Sequence, residues 1–131
     1  MKKLSEHITT DEMACRCGKC NYSTDDGIIA YVSTRLIFLL EDIRNSVGRP
    51  IVISSGLRCS EHNKAVGGED NSTHLRGEAA DIKVSSSFER YEIVMAAMTK
   101  GCLRIGVYKD QMCVHVDVSA YGVPQDVMWI R

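Results

Sequence analysis

Between Ile28 and Ser46 the apolar residues Ile29, Val32, Leu36, Leu40 and Ile43 recur at the spacing of one helical face. Asp25 or Asp26 can cap this helix, and Gly48 with Pro50 stops it. A second helix is predicted from Phe88 to Met98, with Tyr91, Val94, Met95 and Met98 inward and Gly101 at its end. Strands are predicted at Ile51–Ser54, Ala79–Val84, Arg104–Tyr108, Met112–Ser119 and Val127–Ile130. Ser55 to Asn71 reads as loop, with Gly56, Gly67 and Gly68. The first two dozen residues read as irregular, with Thr9-Thr10-Asp11-Glu12 as a helix start. Strands grouped late, without regular alternation with helices, predict an α+β domain: a small, mainly antiparallel sheet with helices packed on one side.

Alternation along two strands adds chemistry to this outline. In Cys113 to Val118 the valines Val114, Val116 and Val118 take the core face, leaving Cys113, His115 and Asp117 on the other. In Ala79 to Val84 the core face holds Ala80, Ile82 and Val84, leaving Asp81 and Lys83 opposite. Asp81 and His115 therefore meet if the two strands are neighbours. His74 lies on the loop entering the earlier strand, and Gly77 lets that loop fold the imidazole back over Asp81. Two imidazoles and a carboxylate, with a position left for water, are what a catalytic zinc site requires. Asp117 can accept the second ring proton of His115. A histidine on a strand can equally be a hydrogen-bonded structural residue, and Asp81 a turn or salt-bridge residue. Spacing alone does not separate these readings.

Composition narrows the remaining classes. The 131 residues suffice for one domain with a real core, here 1–131, with the Cys-rich segment 1–24 packed on it. The net charge is −1 and no basic run occurs, which argues against nucleic acid. Arg35, Glu41, Asp42 and Arg44 interrupt the longest apolar stretch, so membrane insertion is not expected. Met1-Lys2-Lys3 has no apolar segment behind it, so synthesis in the cytoplasm without a signal peptide is expected. A monomer is expected.

The motifs around the trio are more specific than the trio itself. Ser72-x-His74-x-x-Gly77-x-Ala79-x-Asp81 followed by His115-Val116-Asp117 resembles the zinc D-Ala-D-Ala carboxypeptidase family, which shares its fold with Hedgehog signalling domains and phage L-alanyl-D-glutamate endolysins. Ser55-Gly56-Leu57-Arg58 and Asn63-Lys64-Ala65-Val66-Gly67-Gly68 resemble that family's upstream segment. Arg104-Ile105-Gly106-Val107-Tyr108 resembles the strand before its last ligand. The likeness runs from about Ile51 to Val118, fainter in the first helix. It implies a Hedgehog/DD-peptidase-like fold and zinc held by His74, Asp81 and His115. It implies Arg58 as the cation that holds a substrate carboxylate or carbonyl, with Ser72 and Asp117 supporting the ligands. The implied substrate is a peptidoglycan stem peptide with D-residues, cut at the terminal D-Ala-D-Ala bond or the internal L-Ala-D-Glu bond. The chain's shortness and lack of a signal fit a phage lysis protein released by a holin to act on the wall.

The expected catalytic base departs from the pattern. Relatives carry an acid or a histidine shortly before the last ligand, but Met112 stands three before His115 and cannot accept a proton. Asp110 is the nearest carboxylate and is taken as the base, the alternative being a turn residue in Lys109-Asp110-Gln111. Cys113 stands where some relatives place a histidine. This departure keeps a second reading open: a non-catalytic zinc-binding module used for recognition.

Six cysteines are many for a reduced protein. Cys15, Cys17 and Cys20 could hold a second, structural zinc with Cys59 or His62 as fourth ligand. Reduced, partly buried thiols and a Cys15–Cys59-type disulfide remain alternatives.

Overall fold

In the computed structural model, which describes residues 1–131, the chain opens on a single helical turn, α1 (Thr10–Met13). The Glu12 carboxylate accepts the Thr9 backbone N–H at 2.8 Å and closes its first turn. The long helix read from the hydrophobic period is two helices, α2 (Asp25–Tyr31) and α3 (Thr34–Val47). Ser33 makes the break: its hydroxyl accepts the Leu36 N–H at 3.3 Å as a new N-cap. Its own N–H bonds the Gly77 carbonyl at 2.8 Å. Ile29 therefore faces solvent, while Leu36, Leu40 and Ile43 are buried. Gly48 ends α3 at φ 73, a left-handed conformation that glycine adopts without strain.

Strand β1 (Ile53–Ser55) leads into a short helix, α4 (Ser60–Ala65), where loop was expected. Its sequence is polar and has no apolar period to reveal it; the Cys59 thiol caps it by accepting the His62 N–H. After β2 (Ala79–Lys83), helix α5 (Ser87–Thr99) packs through Ile93, Ala96 and Ala97, not through Tyr91, Met95 and Met98, which are exposed. The small alanines let α5 lie close to its neighbours, and that outweighs the size of the other residues.

Strands β3 (Arg104–Tyr108), β4 (Cys113–Asp117) and β5 (Val127–Ile130) complete a five-stranded sheet of order β1-β2-β4-β3-β5. The expected mainly antiparallel sheet is mixed: β3 and β5 run parallel. With β2 on one side of β4 and β3 on the other, the chain leaving β4 passes β3 and pairs along that strand's free edge. Helices α3 and α5 cover one face, where Ile82, Val114, Val116 and Ile105 join the core. Ile8 and Met13 of the N-terminal segment enter the same core. No helix is long and apolar enough to cross a membrane.

Glu41 on α3 ties that N-terminal segment down. Its carboxylate accepts the Ser5 hydroxyl at 2.6 Å and the His7 N–H at 2.8 Å. Burial pushes the carboxyl pKa up, but these bonds outweigh it and bring it down from 4.5 to about 2. A depressed pKa stabilises the fold above the unfolded value and loses that contribution as pH falls toward the folded one. Glu41→Gln is expected to flatten the fall in melting temperature between about pH 4.5 and pH 2. An unchanged acid limb in thermal melts would refute this anchor.

Candidate active site

The register of the sheet lines up one row across four strands on the face away from the helices. Asp81 on β2 pairs with His115 on β4, His115 with Gly106 on β3, and Gly106 with Trp129 on β5. Gly106 is small for a reason: a Cβ there would lie 2.7 to 2.8 Å from the Tyr108 and Trp129 rings. Its absence lets both rings close on His115, with centroids 5.6 and 5.3 Å away. His74 arrives from outside the sheet on a 3-10 turn, Thr73–Arg76, whose start is capped by the Ser72 hydroxyl accepting the His74 N–H. Gly77 ends that turn at φ 68, against the Tyr31 carbonyl where no side chain would fit.

The structure thus brings His74, Asp81 and His115 together, all buried, with ligand-capable atoms within 4.8 Å of one another. Asp81 Oδ1 is 3.3 Å from His74 Nε2 and 2.9 Å from His115 Nδ1. The outer ring nitrogens are also committed. His74 Nδ1 donates to the Gly56 carbonyl at 2.7 Å, because a carbonyl can only accept. His115 Nε2 donates to Asp117 Oδ2 at 2.8 Å. Each imidazole therefore turns its second nitrogen toward Asp81, the arrangement that orients ligand histidines in metal sites. Two nitrogens and a carboxylate oxygen suit Zn2+, and a cavity of about 490 Å³ over His74 and His115 gives a substrate access.

The electrostatics agree with a cation site. Burial pushes Asp81 up, but hydrogen bonds from His115 and His74 outweigh it and hold the carboxyl far below the usual carboxylate range. Burial disfavours the charged form of His115, yet its bonds to Asp117 and Asp81 raise its pKa. Two carboxylates flank that ring, so positive charge is favoured between them.

Arg58 lies over the trio and lines the cavity. It donates to Ser55 Oγ at 3.1 Å, Asn63 Oδ1 at 3.1 Å and Asp81 Oδ2 at 3.4 Å. Asp117 is gripped by Arg104 at 2.6 Å and Thr73 at 3.1 Å. Asp110 is not brought to the cavity. It is exposed on the turn beyond the Tyr108–Cys113 pair, which itself lies about 7 Å along the strands from the His115 row. The carboxylate that lines the cavity is Glu69. Gly67 turns the chain at φ 73, and Asn63 Nδ2 holds the Glu69 carbonyl at 2.8 Å.

Sequence reasoning missed Glu69, Arg104, Tyr108, Trp129 and Arg131, which line the cavity. Alternation carried a signal for the strand residues. Arg104, Gly106 and Tyr108 share one face of β3, as Val127, Trp129 and Arg131 share one face at β5. What was missing was that β5 lies beside β3.

Comparison with curated proteins finds no match. The family model for peptidase M15 matches residues 6–117. That span reaches past the motifs into α1, α2 and α3, and contains the whole His74, Asp81 and His115 cluster. This chain belongs to the peptidase M15 family, a family of zinc-dependent peptidases.

Proposed function

We propose that this protein is a zinc peptidase that hydrolyses peptidoglycan stem peptides containing D-amino acids, with His74, Asp81 and His115 as its ligands. The observation that carries this reading is the pair of imidazoles whose outer nitrogens are tied to Gly56 and Asp117 while the inner ones face Asp81. A zinc held there would supply Lewis acidity and would lower the pKa of a bound water toward about 7. Arg58 and Arg131 line the cavity, paired with Asp81 and Glu69, and offer it guanidinium donors that suit a peptide rich in carboxylates. Arg58 points into it from a fixed bed of Ser55, Asn63 and Asp81, so its guanidinium needs little reorganisation to orient a carboxylate or carbonyl. The rings of Tyr108 and Trp129 shield one side of His115 from water. Glu69, rather than Asp110, is the carboxylate among the residues lining the cavity, where it pairs with Arg131 at 3.7 Å, and it is assigned the proton transfer from the attacking water to the leaving amine.

Purified peptidoglycan incubated with the zinc-loaded protein should release fragments in a chelator-sensitive way. Mass spectrometry of the new ends identifies the bond: loss of D-Ala marks the terminal cut, and a new amino group on D-Glu marks the internal one. In the same assay Glu69→Gln should lower turnover by about 100-fold, and Asp110→Ala should change it by less than about 3-fold. The reverse pattern would return the base to Asp110. Full zinc occupancy with no hydrolysis would favour the recognition module, a reading supported by the exposed position of Asp110.

A further inference from the structure

Four thiols meet at the start of α4, next to the loop that carries Arg58. Cys15, Cys17, Cys20 and Cys59 place their sulfurs within 4.8 Å of one another, and none is in a disulfide. Cys59 Sγ is 3.8 Å from Cys15 Sγ and 4.0 Å from Cys17 Sγ. A disulfide brings sulfurs to about 2.05 Å. Four sulfurs each about 2.3 Å from a central zinc stand about 3.8 Å apart in a tetrahedron. These two distances match those of thiolates around an ion.

Backbone donors are also aimed at the sulfurs. The backbone N–H of Cys59 points at Cys15 Sγ at 3.4 Å, that of His62 at Cys59 Sγ at 3.4 Å, and that of Lys19 at Cys17 Sγ at 3.5 Å. The Ser23 hydroxyl lies 3.6 Å from Cys20 Sγ. Gly18, at φ 72, turns the chain so that Cys17 and Cys20 face the same point. Donors aimed at ligand sulfurs are the outer layer that metal–thiolate sites use. His62 is not part of the cluster; it contributes its backbone N–H to Cys59.

We propose that Cys15, Cys17, Cys20 and Cys59 form a second, structural Zn2+ site that clips the N-terminal segment to the loop carrying Gly56 and Arg58. All four ligands come from protein, so the site is closed and has no position for substrate. Its position gives it a consequence at the trio. Cys59 follows Arg58 directly and caps α4, whose Asn63 holds the Arg58 guanidinium. Gly56, whose carbonyl holds His74, presses on the Met13 backbone, and the Leu57 N–H bonds the Met13 carbonyl at 2.9 Å. Fixing Cys59 against Cys15 therefore fixes the strip of chain between the two sites.

The test does not depend on peptidase activity. Protein purified under reducing conditions should carry two zinc ions per chain by native mass spectrometry. His74→Ala with His115→Ala should retain one, and in that variant Co2+ exchanged for zinc should show intense thiolate-to-cobalt absorption in the near ultraviolet. Cys17→Ser with Cys20→Ser should lose that absorption and one zinc. If the cysteine variant does not fold, the histidine variant still decides. No metal in it, or a Cys15–Cys59 disulfide in the intact mass, would overturn the proposal.

Discussion

Asp81→Asn is expected to abolish zinc binding at the trio and hydrolysis together, leaving the cysteine site loaded and the fold intact. One carboxylate oxygen, Oδ1, faces both imidazoles, and the other, Oδ2, takes the Arg58 guanidinium. Asparagine fills the same volume but removes the charge that offsets the divalent ion and Arg58 in a buried setting. Its amide nitrogen also cannot act as a ligand. Losing a metal that supplies several kcal/mol of charge stabilisation lowers turnover by at least about 1000-fold. Zinc content by native mass spectrometry and turnover on peptidoglycan measure the two losses, and circular dichroism checks the fold. A single zinc ion in both this variant and the parent would show that the trio is a hydrogen-bonded structural cluster, the competing reading of these residues.

The site was legible in the sequence where its residues sit on regular strands with a strict period. Val114, Val116, Ala80 and Ile82 mark the core face, and that placed Asp81 and His115 on the other before any pairing was known. The same rule would have placed Tyr108 and Trp129 beside them, but only with the strand order in hand. Nothing local in Val127–Ile130 says that it crosses β3 to pair in parallel. Helix periods were less informative. The α5 face was misread because Ala96 and Ala97 pack by being small, and the break at Ser33 depends on a single hydroxyl and a tertiary bond to Gly77. Asp110 is the nearest carboxylate before His115 along the chain. A hairpin carries such a residue away along the strands, while a glycine turn at Gly67 carries the distant Glu69 in.

Asp117→Ala is expected to have the largest effect on stability and a separate effect on the metal. Asp117 is fully buried and takes four donors: the Arg104 Nε at 2.6 Å, the His115 Nε2 at 2.8 Å, the Thr73 hydroxyl at 3.1 Å and the Ser119 N–H at 3.2 Å. Burial pushes its pKa up, yet bonds from His115 and Arg104 outweigh that and lower it, so it stays a carboxylate. Alanine would leave a guanidinium, itself mostly buried, without its counter-charge, and removing one partner of a buried pair costs about 3–5 kcal/mol. Denaturant melts should show that loss as a lower midpoint with the slope unchanged. The variant would also free His115 Nε2, so the ring could turn or change tautomer. Loss of such an outer partner lowers metal affinity by about 10- to 100-fold. Asp117→Asn separates the two effects. Its side-chain carbonyl can still accept from one donor, which keeps part of the packing, but it carries no charge for Arg104 or for His115. It should recover part of the stability while zinc affinity stays low. Recovery of both in parallel would mean that Asp117 acts on the site only by holding the fold together.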